Sequence, residues 1–173
     1  MLSGKYLSGI NLTGADLENA VIDEVDLSGA NLSDSEMNGS IFARANLSDA
    51  RLRNAKLYKS NFESANLTRT NFSSADLRRA YMTSANLERA HLNRADLSGA
   101  NMSNAVLSQT ECYETKLDSA VVSDYNWLAS MPHAGPEGPA DWEYLKEHYY
   151  IDSVKTNFGW LNMMLRKNIA PKK

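Results

Sequence analysis

Residues 75–97 read Ala75-Asp76-Leu77-Arg78-Arg79-Ala80-Tyr81-Met82-Thr83-Ser84-Ala85-Asn86-Leu87-Glu88-Arg89-Ala90-His91-Leu92-Asn93-Arg94-Ala95-Asp96-Leu97. A large apolar residue recurs every five positions, and alanine stands two residues before each one. In an extended chain, residues two apart point to the same side. Ala and Leu therefore face inward, the residue between them faces outward, and the remaining two residues turn a corner. A 3.6-residue period would smear both columns around a helix, so a helix is rejected.

The pattern extends far beyond this stretch. From Leu2 to Val122 the large column has 25 positions: 16 Leu, three Phe, three Met, Ile22, Cys112 and Val122. No insertion shifts it. The small column, Ile10 to Ala120, is Ala at 15 of 23 positions, and between the columns 12 of 23 residues are Asn or Asp. The unit is Ala-Asn/Asp-Leu-x-x. Gly4, Gly9, Gly14, Gly29, Gly39 and Gly99 all end their units. Glycine tolerates positive φ, so this last position marks the tight corner.

A longer period is superposed on the first. Among the large positions that are not Leu, Ile22, Phe42, Phe62, Met82, Met102 and Val122 follow one another at 20-residue intervals. Four units per coil would stack these six in one wall. Residues 5–124 then form six coils, a rod on the order of 25–30 Å long at the usual strand spacing.

On these residues the chain resembles the pentapeptide-repeat family, whose consensus is A(D/N)LXX. The resemblance covers residues 1–125. It implies an all-β solenoid, a right-handed quadrilateral β-helix with four faces per coil. It implies little about activity.

Residues 126–173 form a second compositional unit. All four prolines and all three tryptophans lie there. A solenoid end exposes apolar cross-section and unpaired strand edges, so a cap is expected. Trp127 falls in the next large-column position, and residues 132–139, Pro-His-Ala-Gly-Pro-Glu-Gly-Pro, read as a linker. Beyond them an α-helical cap is predicted. Trp142, Leu145 and Tyr149 share one helical face, as do Val154, Phe158, Leu161 and Leu165 on a second stretch starting near Asp152. This segment either only caps the rod or also pairs with a second subunit. The N-terminal end is either open to solvent or covered by a partner.

Composition and motifs exclude several chemistries. The formal net charge of −3 argues against a strongly basic nucleic-acid binder, and one cysteine, Cys112, excludes a disulfide framework. His91, His133 and His148 have no metal-ligand spacing, and no nucleophile motif is present. No catalytic residue, metal or cofactor is expected, and Cys112 is read as a small buried hydrophobe. Asn-x-Ser/Thr triplets such as Asn11-Leu12-Thr13 are by-products of the repeat. The chain opens Met-Leu-Ser-Gly-Lys-Tyr-Leu with no apolar run of ten, so neither secretory leader nor membrane span is read, and a cytoplasmic protein is expected.

Charge is patterned along the chain. Residues 1–50 carry eight acids and two bases, residues 51–110 four acids and nine bases, and residues 111–125 four acids and one base. In the basic belt Lys56, Lys59, Arg78 and Arg79 fall on one wall with Tyr58 among them. On the Phe42/Phe62 wall the outward column carries Val21, Ile41, Tyr81 and Val121 where Asn or Asp is usual. These nine residues are the candidate interaction surface. Drift in a tolerant repeat and contact with a partner both account for the apolar ones.

The reading is a non-enzymatic protein-interaction scaffold, with another protein as partner and no membrane or nucleic acid. Self-association through the C-terminal segment or the N-terminal end stays open. The alternative comes from the resemblance. A quinolone-resistance branch of the family protects topoisomerase (DNA gyrase) by mimicking duplex DNA with an acidic rod. This chain departs from that branch at the basic belt.

Overall fold

A computed structural model describes residues 6–122, together with the backbone of residues 149–155 and 161–167. The residues read as a linker, and the expected helix around Trp142 and Leu145, lie outside the described residues, as does Trp127.

Residues 6–122 wind into four-sided coils of 20 residues. Each outward residue bridges in parallel to the residue 20 positions on, from Tyr6↔Asp26 to Asn101↔Val121. The hydrogen bonding repeats with the same period. Leu27 N–H donates to Asn46 C=O at 2.7 Å, Gly29 N–H to Ser48 C=O at 2.8 Å, and Asn46 N–H to Val25 C=O at 3.0 Å. Every wall is thus a parallel ladder only one or two residues wide. We number the walls by their outward residues: wall 1 holds Val21, Ile41, Asn61, Tyr81, Asn101 and Val121; wall 2 starts at Tyr6, wall 3 at Asn11 and wall 4 at Asp16.

The corners are β-turns closed by the residue after each turn. Ala30 N–H donates to Leu27 C=O at 3.0 Å, and the same bond recurs unit after unit. The second turn residue is left-handed, the type II pattern. Among the described residues glycine fills this position at Gly9, Gly14, Gly29, Gly39 and Gly99. Eighteen other residues, from Asn19 to Ser119, adopt φ between 54° and 62° in the same column. The glycines therefore mark the corner as the sequence indicates, but the fold does not depend on them.

Outward Asn and Asp have a local task. Asn11 Oδ1 accepts from the backbone N–H of Thr13 at 3.1 Å and from its hydroxyl at 2.6 Å. Asn31 with Ser33, Asn66 with Thr68 and Asp96 with Ser98 do the same. The side chain satisfies the first turn N–H, as in an Asx turn. It also links coils: Asn46 Nδ2 donates to Asp26 Oδ1, and Asn66 Nδ2 to Asn46 Oδ1, both at 3.0 Å.

Both inward columns are buried. From Ile22 to Val122 the large column is at most 3% exposed. Phe42 stacks on Phe62 at 5.1 Å between ring centroids, 7° from parallel, as the 20-residue spacing requires. Cys112 is buried at 2% exposure, as expected. Where Ser or Thr replaces Ala, its hydroxyl reaches a carbonyl. Ser35, Ser40 and Ser60 donate to the carbonyl three residues back, whereas Thr70 and Thr115 donate to one in the preceding coil. In the first coil Leu7, Ile10, Leu12, Leu17 and Ala20 are only partly buried.

The C-terminal segment corrects the sequence reading. In place of a helix from Asp152, the structure has two strands, β2 (Tyr149–Lys155) and β3 (Leu161–Lys167), paired antiparallel. β3 also pairs antiparallel with β1 (Val121–Val122), in the register Val121↔Met164 and Val122↔Met163. The sheet order is β1-β3-β2. Two causes favour strands. Tyr149, Tyr150, Ile151 and Val154 are aromatic and β-branched residues that fit a pleated surface, and Gly159 costs a continuous helix about 1 kcal/mol. Moreover, the last rung of wall 1 leaves backbone groups unpaired, and a strand satisfies them where a helix does not.

Candidate interaction surface

The outward residues of wall 1 lie in one continuous ladder: Val21↔Ile41↔Asn61↔Tyr81↔Asn101↔Val121. The structure therefore brings all four apolar candidates onto one face. Tyr81 is 53% exposed and Val21 36%, while Ile41 and Val121 are half-buried. None of the four belongs to the buried core cluster, which is filled from the inward columns. Val121 is also the rung to which β3 is hydrogen-bonded, so this face continues into the C-terminal sheet.

The basic candidates divide into two groups. Lys56 lies on the flat part of wall 4, between Glu36 and Asp76 in the ladder. Tyr58, Lys59, Arg78 and Arg79 lie on the corner between walls 4 and 1, two from each of two successive coils. Lys59 Nζ is 5.3 Å from the Tyr58 ring centroid and Arg78 Cζ is 5.8 Å from it, within cation–π range.

Much of the belt's charge is internally matched, which the sequence reading missed. Lys56 pairs with Glu36, one coil away. Arg78 holds Asp76 through two hydrogen bonds of 2.7 and 2.6 Å. That contact holds the Asp76 carboxyl below the usual carboxylate range. Arg69 grips Asp49 in the same bidentate way, at 2.6 and 2.7 Å, and lowers its pKa too. The signal was present in the sequence. Glu36 and Lys56, and Asp49 and Arg69, are 20 residues apart, the spacing that stacks them. Lys59 and Arg79 have no ion-pair partner among the described residues.

His91 lies on wall 3 with Nδ1 2.8 Å from Glu111 Oε2, and Asn93 Nδ2 donates to the same oxygen at 2.8 Å. Burial opposes ionisation of Glu111, but these two contacts outweigh it and lower its pKa. Among the described residues no group of three or more His, Cys, Asp or Glu is placed to hold a metal ion. No described helix is long and apolar enough to cross a membrane.

Comparison with solved structures finds HetL, a pentapeptide repeat protein involved in heterocyst differentiation regulation, from the cyanobacterium Nostoc sp. strain PCC 7120. Identity is 29% and the TM-score 0.52, over 69% of this chain and 60% of HetL. This chain thus spans less than two thirds of HetL's length. QnrB1, a plasmid-mediated fluoroquinolone resistance protein, matches at 26% identity and TM-score 0.46, over 69% of this chain and 63% of QnrB1. The protein alr5209, a pentapeptide repeat protein from Nostoc PCC 7120, matches at 35% identity and TM-score 0.35, over 54% of this chain and 70% of alr5209. Among curated proteins none matches. The family profile described as pentapeptide repeats matches residues 2–39, 45–83 and 85–124, in eight copies. Proteins of this family form right-handed quadrilateral β-helices and are generally non-enzymatic structural or interaction proteins. With the profile matching well over half its length, on the same 20-residue coils that carry the wall 1 ladder, this chain belongs to the pentapeptide-repeat family.

Proposed function

We propose that the protein is a non-enzymatic binding scaffold that engages a protein partner through wall 1 and the basic corner beside it. The observation that carries this reading is the wall 1 ladder. Val21, Ile41 and Tyr81 occupy outward positions where Asn61 and Asn101 serve the same backbone equally well. Apolar side chains with no packing duty, held on a rigid face, offer a partner a dry contact. The charged corner beside them steers and orients the encounter. The DNA-mimic reading needs an acidic rod, and the nine bases of residues 51–110 disfavour it.

Affinity capture from host cells tests this, using the wild-type chain and two double variants. Ile41→Asn with Tyr81→Asn gives the wall the residue already present at 61 and 101. Its captured partner should dissociate faster by tenfold or more. Arg78→Gln with Arg79→Gln should slow association and flatten its salt dependence. Equal recovery of the same partners by all three chains would place the function elsewhere.

A further inference from the structure

Five arginines stand at left-handed corner positions, Arg44, Arg69, Arg79, Arg89 and Arg94, and all but Arg79 have an acceptor one coil away. Arg44 Nε donates to Glu24 Oε1 at 2.8 Å, Arg69 to Asp49, and Arg94 Nε to Glu114 Oε2 at 2.9 Å, while Arg89 donates to the Gln109 amide oxygen. The corner between walls 4 and 1 breaks this rule. Down its left-handed column the residues are Asn19, Gly39, Lys59, Arg79 and Gly99. Two exposed cations stand one rung apart, about 5 Å in backbone spacing, with glycine before and after them. Like charges directly opposite on a ladder repel. No neighbouring side chain in the column neutralises or shields them.

The surroundings are built to receive an anion. Tyr58 forms a half-buried platform beside Lys59, and Arg78 is fixed against that platform by its two bonds to Asp76. Tyr81, two residues beyond Arg79, opens the apolar face of wall 1 next to the corner. We infer that the Lys59–Arg79 corner is a carboxylate-binding site for an acidic, extended segment of a protein partner, whose apolar residues lie on wall 1. This rests on the reading of the rod as a protein-binding scaffold. A protein segment is favoured over a nucleic-acid backbone because, among the described residues, the cations without an ion-pair partner, Arg51, Arg53, Lys59 and Arg79, span only two coils. Residues 1–50 carry eight acids against two bases, and residues 111–125 carry four against one. A duplex laid along the rod would meet repulsion on both sides.

The test uses the full chain and a fluorescent octa-glutamate peptide, with octa-serine and a short DNA duplex as comparison ligands. Binding to octa-glutamate that weakens steeply with salt is expected, with octa-serine and the duplex at least tenfold weaker. Lys59→Glu should weaken peptide binding at least tenfold while leaving the melting temperature unchanged or higher. It recreates the acid–arginine stack of Glu24–Arg44, and Glu already occupies this φ at Glu24 and Glu114. Arg79→Ser is the second variant, since Ser sits at the same position at Ser64, Ser74 and Ser84. Wild-type peptide affinity in both variants would overturn the assignment, as would tighter binding of the duplex. If octa-glutamate fails to bind while Ile41→Asn/Tyr81→Asn still loses its captured partner, the carboxylate site falls and the scaffold reading stands.

Discussion

At the scale of single residues, position within the five-residue unit decides what a side chain can be. The corner position illustrates this. L-residues in the left-handed region cost roughly 1–2 kcal/mol, most for β-branched ones. No Val, Ile or Thr occupies that column anywhere from Gly9 to Ser119, whereas Thr13, Thr68 and Thr83 occupy the position just before it. Ser84→Val, at φ 59°, should therefore destabilise the rod by about 1–2 kcal/mol. Thr83→Val, one residue earlier, should change stability far less; denaturant melts of the two variants compare them directly. Inside the rod the requirement is volume. Phe62 stacks on Phe42 and meets Phe72 edge-on, at 5.9 Å and 81°. Phe62→Ala should cost about 3–5 kcal/mol through lost burial and a cavity that stiff walls cannot close. Leu67→Asp should unfold the domain, because a buried carboxylate without partners costs several kcal/mol.

At the scale of elements, the ladder of each wall was legible because side-chain direction in an extended chain has period two and the repeat has period five. The 20-residue recurrence of Ile22, Phe42, Phe62, Met82 and Met102 then fixed four units per coil. Cross-coil pairing was less legible. It needs the coil length before Glu36 can be matched to Lys56 or Asp49 to Arg69. The C-terminal strands were not legible at all. The apolar residues of 152–165 fit a helical face, and the decisive factor was non-local: the unpaired rung at Val121–Val122. Strand β3 lies between β1 and β2, so its backbone serves two partners. A proline cannot donate there. Met164→Pro should remove the docking of β3, and hydrogen exchange should show the Val121 and Val122 region losing protection while the inner coils keep theirs. Retained protection at Val122 would show that β3 does not close this end.

At the scale of the whole molecule, the rod separates what holds it together from what it presents. Exposed ion pairs contribute little to stability, since solvent screens them. Their pH dependence has a definite sign all the same. The carboxyls of Asp26, Asp49 and Asp76 are held below their ordinary value, the first chiefly by the Ser28 N–H and hydroxyl, the others by arginine. Groups with a depressed folded pKa stabilise the fold above the unfolded pKa and lose that contribution as pH falls through the folded one. Acid titration should therefore leave the melting temperature flat down to about pH 4 and lower it below that. The candidate surface was legible in part as a deviation: Val21, Ile41, Tyr81, Val121 and Lys56 stand where the repeat asks for Asn or Asp, whereas Lys59, Arg78 and Arg79 fill the two free turn positions. Which of those cations are spoken for depends on neighbours 20 residues away, and Lys59 and Arg79 emerge only once the coils are stacked.

The division between inward columns that fold the chain and outward columns that bind is most directly tested by hydrogen exchange on the Ile41→Asn/Tyr81→Asn variant. The inter-coil bonds of wall 1, such as Phe42 N–H to Asn61 C=O and Met82 N–H to Asn101 C=O, both at 2.7 Å, report on the ladder beneath the substituted side chains. Protection at Phe42, Phe62 and Met82 equal to that of the wild-type chain is the predicted result. Loss of protection along wall 1 would show that Ile41 and Tyr81 hold the rod together, and would contradict the assignment of that face to a partner.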